Sequence, residues 1–152
     1  MSQANVEIVR NFSIASGGFD DHVEAWARDD LPRWFKMFAE QHFHPDFEFE
    51  LMGSPDQIGA DLAGTHRGAA GALEIWSKWL SPWESLRVEY DEPVDCGEQV
   101  LLLGRQYVRT KTSGVELEQP SAGVFAFLNG KVRKMDGYLR REDALEAVGL
   151  RE

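Results

Sequence analysis

From about Glu84 to Arg140 the chain runs through β-forming segments separated by turn signals, and this run limits the fold more than any other feature. LRVEY leads to DCGE, a turn, and then to QVLLLGRQYVRT; TSG makes the next turn before VELEQPSAGVFAFL. Asn129-Gly130 follows, a dipeptide that tolerates the positive φ angles of a tight hairpin turn, and KVRKMDGYL closes the run. Short turns can join only antiparallel neighbours, so these four segments predict an antiparallel meander.

The first half reads differently. Val6, Val9 and Phe12 recur at helical spacing, with Ile8 and Ala15 widening the stripe, and Gly17-Gly18 ends it. A short second helix starts at Asp20 or Asp21, with Phe19 placed to staple onto its first turn. Asp29 and Asp30 mark a third start, where Pro32 suits a first turn and Leu31, Trp34, Phe35, Phe38 and His42 form the clearest amphipathic stripe. HPDFEFELM then alternates strictly, with Phe47, Phe49 and Leu51 on one face and Asp46, Glu48 and Glu50 on the other, as a half-buried strand does. Residues Gly53 to Gly68 read as loop. A helix over Ala69–Leu80 carries Ala69, Ala72, Leu73, Trp76 and Leu80 on one stripe, ended by Ser81-Pro82, and REDALEAVGL reads as a short C-terminal helix. Helices, one strand, a helix and four strands make an α+β order, a sheet packed on one side by helices.

Length and charge narrow the function. The 152 residues suit a single domain over 1–152, and 43% apolar residues with five Trp and nine Phe argue for a packed core. A net charge of -10, with no run of adjacent basic residues longer than a pair such as Arg140-Arg141, repels phosphate backbones, so no nucleic-acid partner is expected. No apolar run approaches the roughly 20 residues that span a bilayer, so no membrane is expected either. The one cysteine, Cys96, excludes an internal disulfide, and MSQANVEIVRNF lacks the apolar core of a signal peptide; the cytoplasm is the expected location.

NVEIVR, HPDFEFE, THRGAAGALEIW, DCGEQVLLLGR, SGVELE, NGKV and GYLRREDALEAVGL, taken in order, resemble the SnoaL-like branch of the nuclear-transport-factor-2-like superfamily. The likeness covers nearly the whole chain, apart from an apparent insertion around Gly17 to Asp30. It implies a cone: a curved mixed or antiparallel sheet wrapped against three main helices of the N-terminal half, with a short C-terminal helix and a pocket at the open end. Members include ketosteroid isomerases, polyketide cyclases, scytalone dehydratase, limonene epoxide hydrolase and non-catalytic binding proteins, so fold alone does not choose a reaction. The family also implies a homodimer formed through the outer sheet face.

The catalytic sets of those enzymes do not carry over. The helix tyrosine of the ketosteroid isomerases is matched here by Phe12, and their second acid by Gly123. Their aspartate base falls on Glu50 if the glycine-serine after the strand is aligned, or on Phe49 if the buried alternation is kept. A one-residue slip inverts every side chain, so only one register holds. Burying Glu48 and Glu50 while exposing two Phe is costly, which favours Phe49 inside. The two strands from Glu98 to Leu128 hold neither His nor Asp, which removes the polyketide-cyclase pair, and no strand segment holds the Arg-x-Asp that epoxide hydrolysis needs.

Other polar groups remain as candidates. Arg105, Tyr107 and Arg109 share one side of their strand, with Gln119 and Asp136 on neighbouring strands; Arg beside Tyr in a dry pocket binds a carboxylate or polarises a carbonyl. The competing arrangement turns Arg105 and Arg109 outward to pair with Glu116 or Glu118 across the hairpin. Asp136 and Tyr138 fit a solvated or dimer-facing edge equally well. His66, just before the helix over Ala69–Leu80, is a candidate general base, since imidazole exchanges protons near neutral pH. His42, His44 and Asp46 do not share one face, so no metal site is assigned, and acidic neighbours make Cys96 a poor nucleophile. Trp76 and Trp79, three apart beside Ile75, are not expected to face the core together.

The candidate catalytic set is therefore Glu50, His66, Arg105, Tyr107 and Asp136. Phe12, Phe38, Phe49, Trp76, Gln119, Gly123 and Phe125 are candidates for the pocket wall. Two readings follow. In one, the pocket takes a small hydrophobic or carboxylated molecule and works without a cofactor as an acid-base lyase, isomerase or hydrolase. In the other, the chain is a non-catalytic binding or assembly protein whose pocket its own aromatics fill. Convergence of the polar candidates on a cavity favours the first, and a cavity below about 300 Å³ counts against turnover of a sizeable substrate.

Overall fold

The computed structural model describes residues 3–53 and 58–150. Three helices come first: α1 (Gln3–Gly17), α2 (His22–Ala27) and α3 (Asp30–His42). Strand β1 (Phe43–Met52), the short β2 (Thr65–Arg67) and helix α4 (Gly68–Leu80) follow. The second half holds β3 (Trp83–Tyr90), β4 (Val94–Asp95), β5 (Gln99–Thr110), β6 (Glu116–Leu128), β7 (Lys131–Tyr138) and helix α5 (Arg141–Ala147). The strands form one sheet in the order β2-β1-β7-β6-β5-β3, with β4 pairing on β5. β3, β5, β6 and β7 pair antiparallel, and among the described residues only β1 with β7 runs parallel, because a long excursion through α4 and the meander separates them. The result is a curved, unclosed mixed α+β sheet.

Local chemistry explains the joints. Asp21 caps α2 through its Oδ1, which accepts the Val23 N–H at 3.0 Å and, from across the fold, the Leu86 N–H at 3.1 Å. Asn129 (φ 54°) and Gly130 (φ 78°) make the β6–β7 hairpin turn that their residue types foretell. Packing then sets the layers. α1 buries Val6, Val9 and Phe12, and Phe12 meets Trp34, Phe38 and Phe125 at ring-centroid distances of 5.3–5.4 Å. Each such ring stabilises the fold by roughly 1.5–3 kcal/mol through burial.

Three sequence expectations change. The stretch read as loop from Gly53 to Gly68 contains β2, three residues long and recognisable only from its pairing with β1; positions 54–57 of it lie outside the described residues. The first residue of the segment read as the DCGE turn, Asp95, belongs to a two-residue strand, β4. Helices also cover both faces of the sheet: α5 lays Ala144 and Leu145 against Leu101, Leu103, Ala122 and Val124, opposite the face that α1, α3 and α4 cover.

Candidate functional site

Between α1, α2, α4 and the concave face of the sheet lies a cavity of about 180 Å³. Its wall is mainly apolar: Phe12, Phe35, Phe49, Leu51, Ile75, Trp76, Trp79, Leu86, Val88, Leu102, Phe125 and Met135 among others. The register of the sheet produces this wall. Phe49 pairs with Met135, which pairs with Phe125, so one row of side chains from β1, β7 and β6 points inward. Gly123 and Gly137, paired with each other on the same face, leave room in the wall.

This register settles the ambiguity at β1: Phe49 faces the cavity and Glu50 does not. Glu50 pairs with Asp136 on the opposite face, where Lys134 Nζ lies 3.2 Å from Glu50 Oε1 and 3.3 Å from Asp136 Oδ1. The second contact lacks hydrogen-bond geometry, and that Asp136 oxygen is enclosed without a hydrogen-bond partner among the described residues. Burial pushes the Asp136 carboxyl above its usual range, although Lys134 pulls against the rise. The Lys134 ammonium is held above its ordinary value because its two carboxylate neighbours outweigh the cost of burial. Asp136 borders the cavity on its backbone side, its carbonyl oxygen standing 3.6 Å from where a Cβ on Gly123 would sit.

The other polar candidates do not come together. Arg105 and Tyr107 alternate with the cavity residues of β5 and stand on the far face. Arg105 Nη2 reaches Asp91 Oδ1 at 3.4 Å, Tyr107 Oη donates to Glu89 Oε1 at 3.1 Å, and Arg87 lies 4.4 Å above the Tyr107 ring. Arg109 pairs with Glu116 at 2.5 Å, the cross-hairpin arrangement weighed for it; Arg105 instead pairs toward β3. His66 stands on β2 opposite Phe49, outside the cavity lining, with its Nε2 enclosed and without a hydrogen-bond partner among the described residues. Phe12, Phe49, Trp76, Gly123 and Phe125 line the cavity, whereas Phe38 packs behind Phe12 and Gln119 stands behind Gln106.

Trp76 and Trp79 both line the cavity, with Ile75 beside them. Residues three apart on a helix share a face, so the expectation that they could not is corrected. His42 packs its ring on Phe38 at 4.7 Å, while His44 Nδ1 accepts the Asp46 N–H at 3.0 Å. Burial, more than Asp95, raises the Cys96 thiol pKa.

Besides Asp136 and Tyr138, the polar residues at the cavity wall include His22, Tyr90, Gln106 and Ser121. His22 is 2% exposed, and its Nε2 donates to the Ser16 carbonyl at 2.8 Å. Burial lowers its pKa despite that carbonyl and Asp21, so the ring is neutral at pH 7. The Tyr90 hydroxyl lies 3.1 Å from Ser16 Oγ, and burial pushes its pKa up to about 12. Gln106 Oε1 accepts from Trp79 Nε1 at 3.2 Å and from Gln119 Nε2 at 2.9 Å. Sequence reasoning passed over His22 because it sits in a short helix, and over Gln106 because it stands between Arg105 and Tyr107, which drew attention to the opposite face of the strand. The inward parity of Gln106 with Leu102 and Val108 was the available signal.

With this geometry, the match of the SnoaL-like domain over residues 19–135 is decisive. The chain belongs to the SnoaL-like family. The matched region takes in α2 and most of the segment from Gly17 to Asp30. Solved structures agree on the fold of this SnoaL-like chain. TerC, crystallised with polyporic acid, is 20% identical over 96% of this chain and 98% of its own, with a TM-score of 0.63. An NTF2-like protein of Burkholderia pseudomallei K96243 is 21% identical over 98% of this chain and 99% of its own (TM-score 0.63). Bal32a, from a soil-derived mobile gene cassette, is 15% identical over 96% of each chain (TM-score 0.62). At these identities the likeness shows the fold alone. No curated protein matches the chain in sequence. No helix among the described residues is long and apolar enough to cross a membrane.

Proposed function

We propose that this SnoaL-like chain binds a small, neutral, largely apolar molecule in the concave cavity. The carrying observation is the wall itself, which is aromatic and aliphatic, with a neutral histidine and no Lys or Arg among its described residues. A carboxylate drawn into such a wall would lose its water without gaining a counter-charge, a cost of several kcal/mol. This argues against the carboxylated ligand, because the arginines that would receive it are paired on the far face. The volume of about 180 Å³ is below the roughly 300–1,000 Å³ of drug-sized sites, which favours a ligand of one ring with short substituents. Binding ranks ahead of catalysis because Glu50, Arg105, Tyr107 and Asp136 hold their charged or hydroxyl groups away from the wall. A cofactor-independent acid-base reaction remains a second reading, favoured by the neutral imidazole of His22. A homodimer and a cytoplasmic location belong to the same proposal, the first resting on family likeness and the second on the lone Cys96.

The test is a thermal-shift and tryptophan-fluorescence panel of monocyclic neutral compounds and their carboxylic acid analogues, run on the wild type and on Gly123→Leu. Trp76 and Trp79 line the cavity and report its occupancy. A neutral ligand at 100 times its Kd raises stability by about 2.7 kcal/mol. Gly123→Leu fills the cavity from a position where a Cβ meets nothing nearer than 3.6 Å, and it is expected to remove the shift. An unmoved wild type, or acids that bind as well as neutral analogues, overturns the reading.

A further inference from the structure

The cavity has two polar atoms whose roles are fixed by what lies behind them. A carbonyl can only accept, so the 2.8 Å contact of His22 Nε2 with Ser16 O places the imidazole proton on Nε2. Nδ1 of the neutral ring is then an acceptor. An indole N–H can only donate, so the 3.2 Å contact of Trp79 Nε1 with Gln106 requires the amide oxygen there; Gln119 Nε2 takes the second acceptor site of that oxygen at 2.9 Å. The Gln106 amide is thereby oriented, with both N–H donors of its Nε2 left over. Neither His22 Nδ1 nor Gln106 Nε2 has a protein hydrogen bond among the described residues, and neither is among the enclosed polar atoms that lack a partner. Both therefore open onto space that a water or a ligand can fill, and both residues line the same cavity.

We infer that His22 Nδ1 and Gln106 Nε2 form the polar pair that selects and orients the ligand: a small ring compound with a hydroxyl directed to His22 and a carbonyl directed to Gln106. This rests on the proposed cavity binding and adds the ligand's chemical class. The aromatic and aliphatic wall gives affinity by burial without direction, whereas one fixed acceptor and one fixed donor favour a neutral hydroxy-carbonyl compound in one orientation. The second contacts of both residues make the pair rigid. Ser16 O locks the imidazole, and Trp79 with Gln119 locks the amide, so a ligand finds both groups preorganised.

Isothermal titration of the full chain with toluene, phenol, benzaldehyde and the 3- and 4-hydroxybenzaldehydes tests the pair. Each added hydrogen bond is expected to tighten binding about 3- to 10-fold, so one hydroxybenzaldehyde isomer binds tightest and toluene weakest. Gln106→Glu keeps an acceptor for Trp79 and Gln119 but removes the donors, and is expected to erase the advantage of the aldehydes alone. His22→Phe is expected to erase the advantage of the phenols alone. If His22→Phe fails to fold, the ring nitrogen resonances of the wild type replace it. The Nδ1 signal is expected to be the unprotonated one and to move with phenol but not with benzaldehyde. Equal binding of all five compounds overturns the pair while leaving cavity binding intact. Absence of binding by all five overturns both, as does a protonated Nδ1 for the pair alone.

Discussion

The hydroxyls of Tyr90 and Ser16 lie 3.1 Å apart and tie the end of β3 to the end of α1 beside the cavity. Ser16 is fully buried, and its carbonyl receives His22, so this one residue joins α1, α2 and the sheet. Tyr90→Phe strands the Ser16 hydroxyl and is expected to cost about 1–2 kcal/mol in denaturant unfolding. The phenol also gives an alkaline signature. The unfolded chain releases this proton near pH 10.0, whereas the folded chain keeps it to about 12. The stabilisation is fully present below pH 10 and is lost as pH rises toward 12, by up to about 2–3 kcal/mol. Stability curves of wild type and Tyr90→Phe are expected to converge across that window.

Asp21 joins two elements with one oxygen, capping α2 at Val23 and holding the Leu86 N–H of β3. Asp21→Ala is expected to cost about 2 kcal/mol, more than a cap alone, because the Leu86 donor lies in a strand. Asp21→Asn retains the side-chain oxygen and is expected to lose less than half of that. Urea unfolding midpoints check the order; equal losses would show that charge, not the shared oxygen, matters.

His22 predicts an acid effect of the opposite sign to that of Tyr90. Its folded pKa is depressed, chiefly by burial, while the Ser16 carbonyl and Asp21 oppose the shift. Below about pH 6.5 the unfolded chain takes up a proton that the folded ring resists, so this stabilisation is lost as pH falls. The decline in Tm between pH 7 and pH 5 is expected to be shallower in His22→Phe than in the wild type.

Gly104 stands on β5 opposite Tyr90, a residue of the cavity wall. A Cβ there would collide with the Glu89 carbonyl oxygen and sit 3.0 Å from Tyr90 Cδ1. Gly104→Ala is expected to cost about 3 kcal/mol or more, since backbone rather than a flexible side chain must give way. Gly123→Ala, on the neighbouring strand β6 and the same face, is expected to be nearly neutral in the same thermal assay, because its Cβ meets only ordinary contacts.

The sequence alone determined the elements whose signals are local. The alternation of Phe47, Phe49 and Leu51, the Asn129-Gly130 turn and the Leu31–Phe38 stripe each fix a short stretch through the period of its own side chains. These stretches, in order, were enough for the fold and the family. The tertiary structure alone decided which polar residues meet. β2 exists because β1 offers it an edge, and the parallel pairing of β1 with β7 sets Glu50 beside Asp136 and Lys134 on the far face. Arg105 and Tyr107 sit one residue out of phase with Gln106, and that phase places them outside and Gln106 inside. His22 becomes a cavity residue only because Asp21 and Ser16 bind α2 to β3 and α1. Hydrophobic period is written residue by residue along the chain. The convergence of donors and acceptors depends on contacts between elements far apart in sequence.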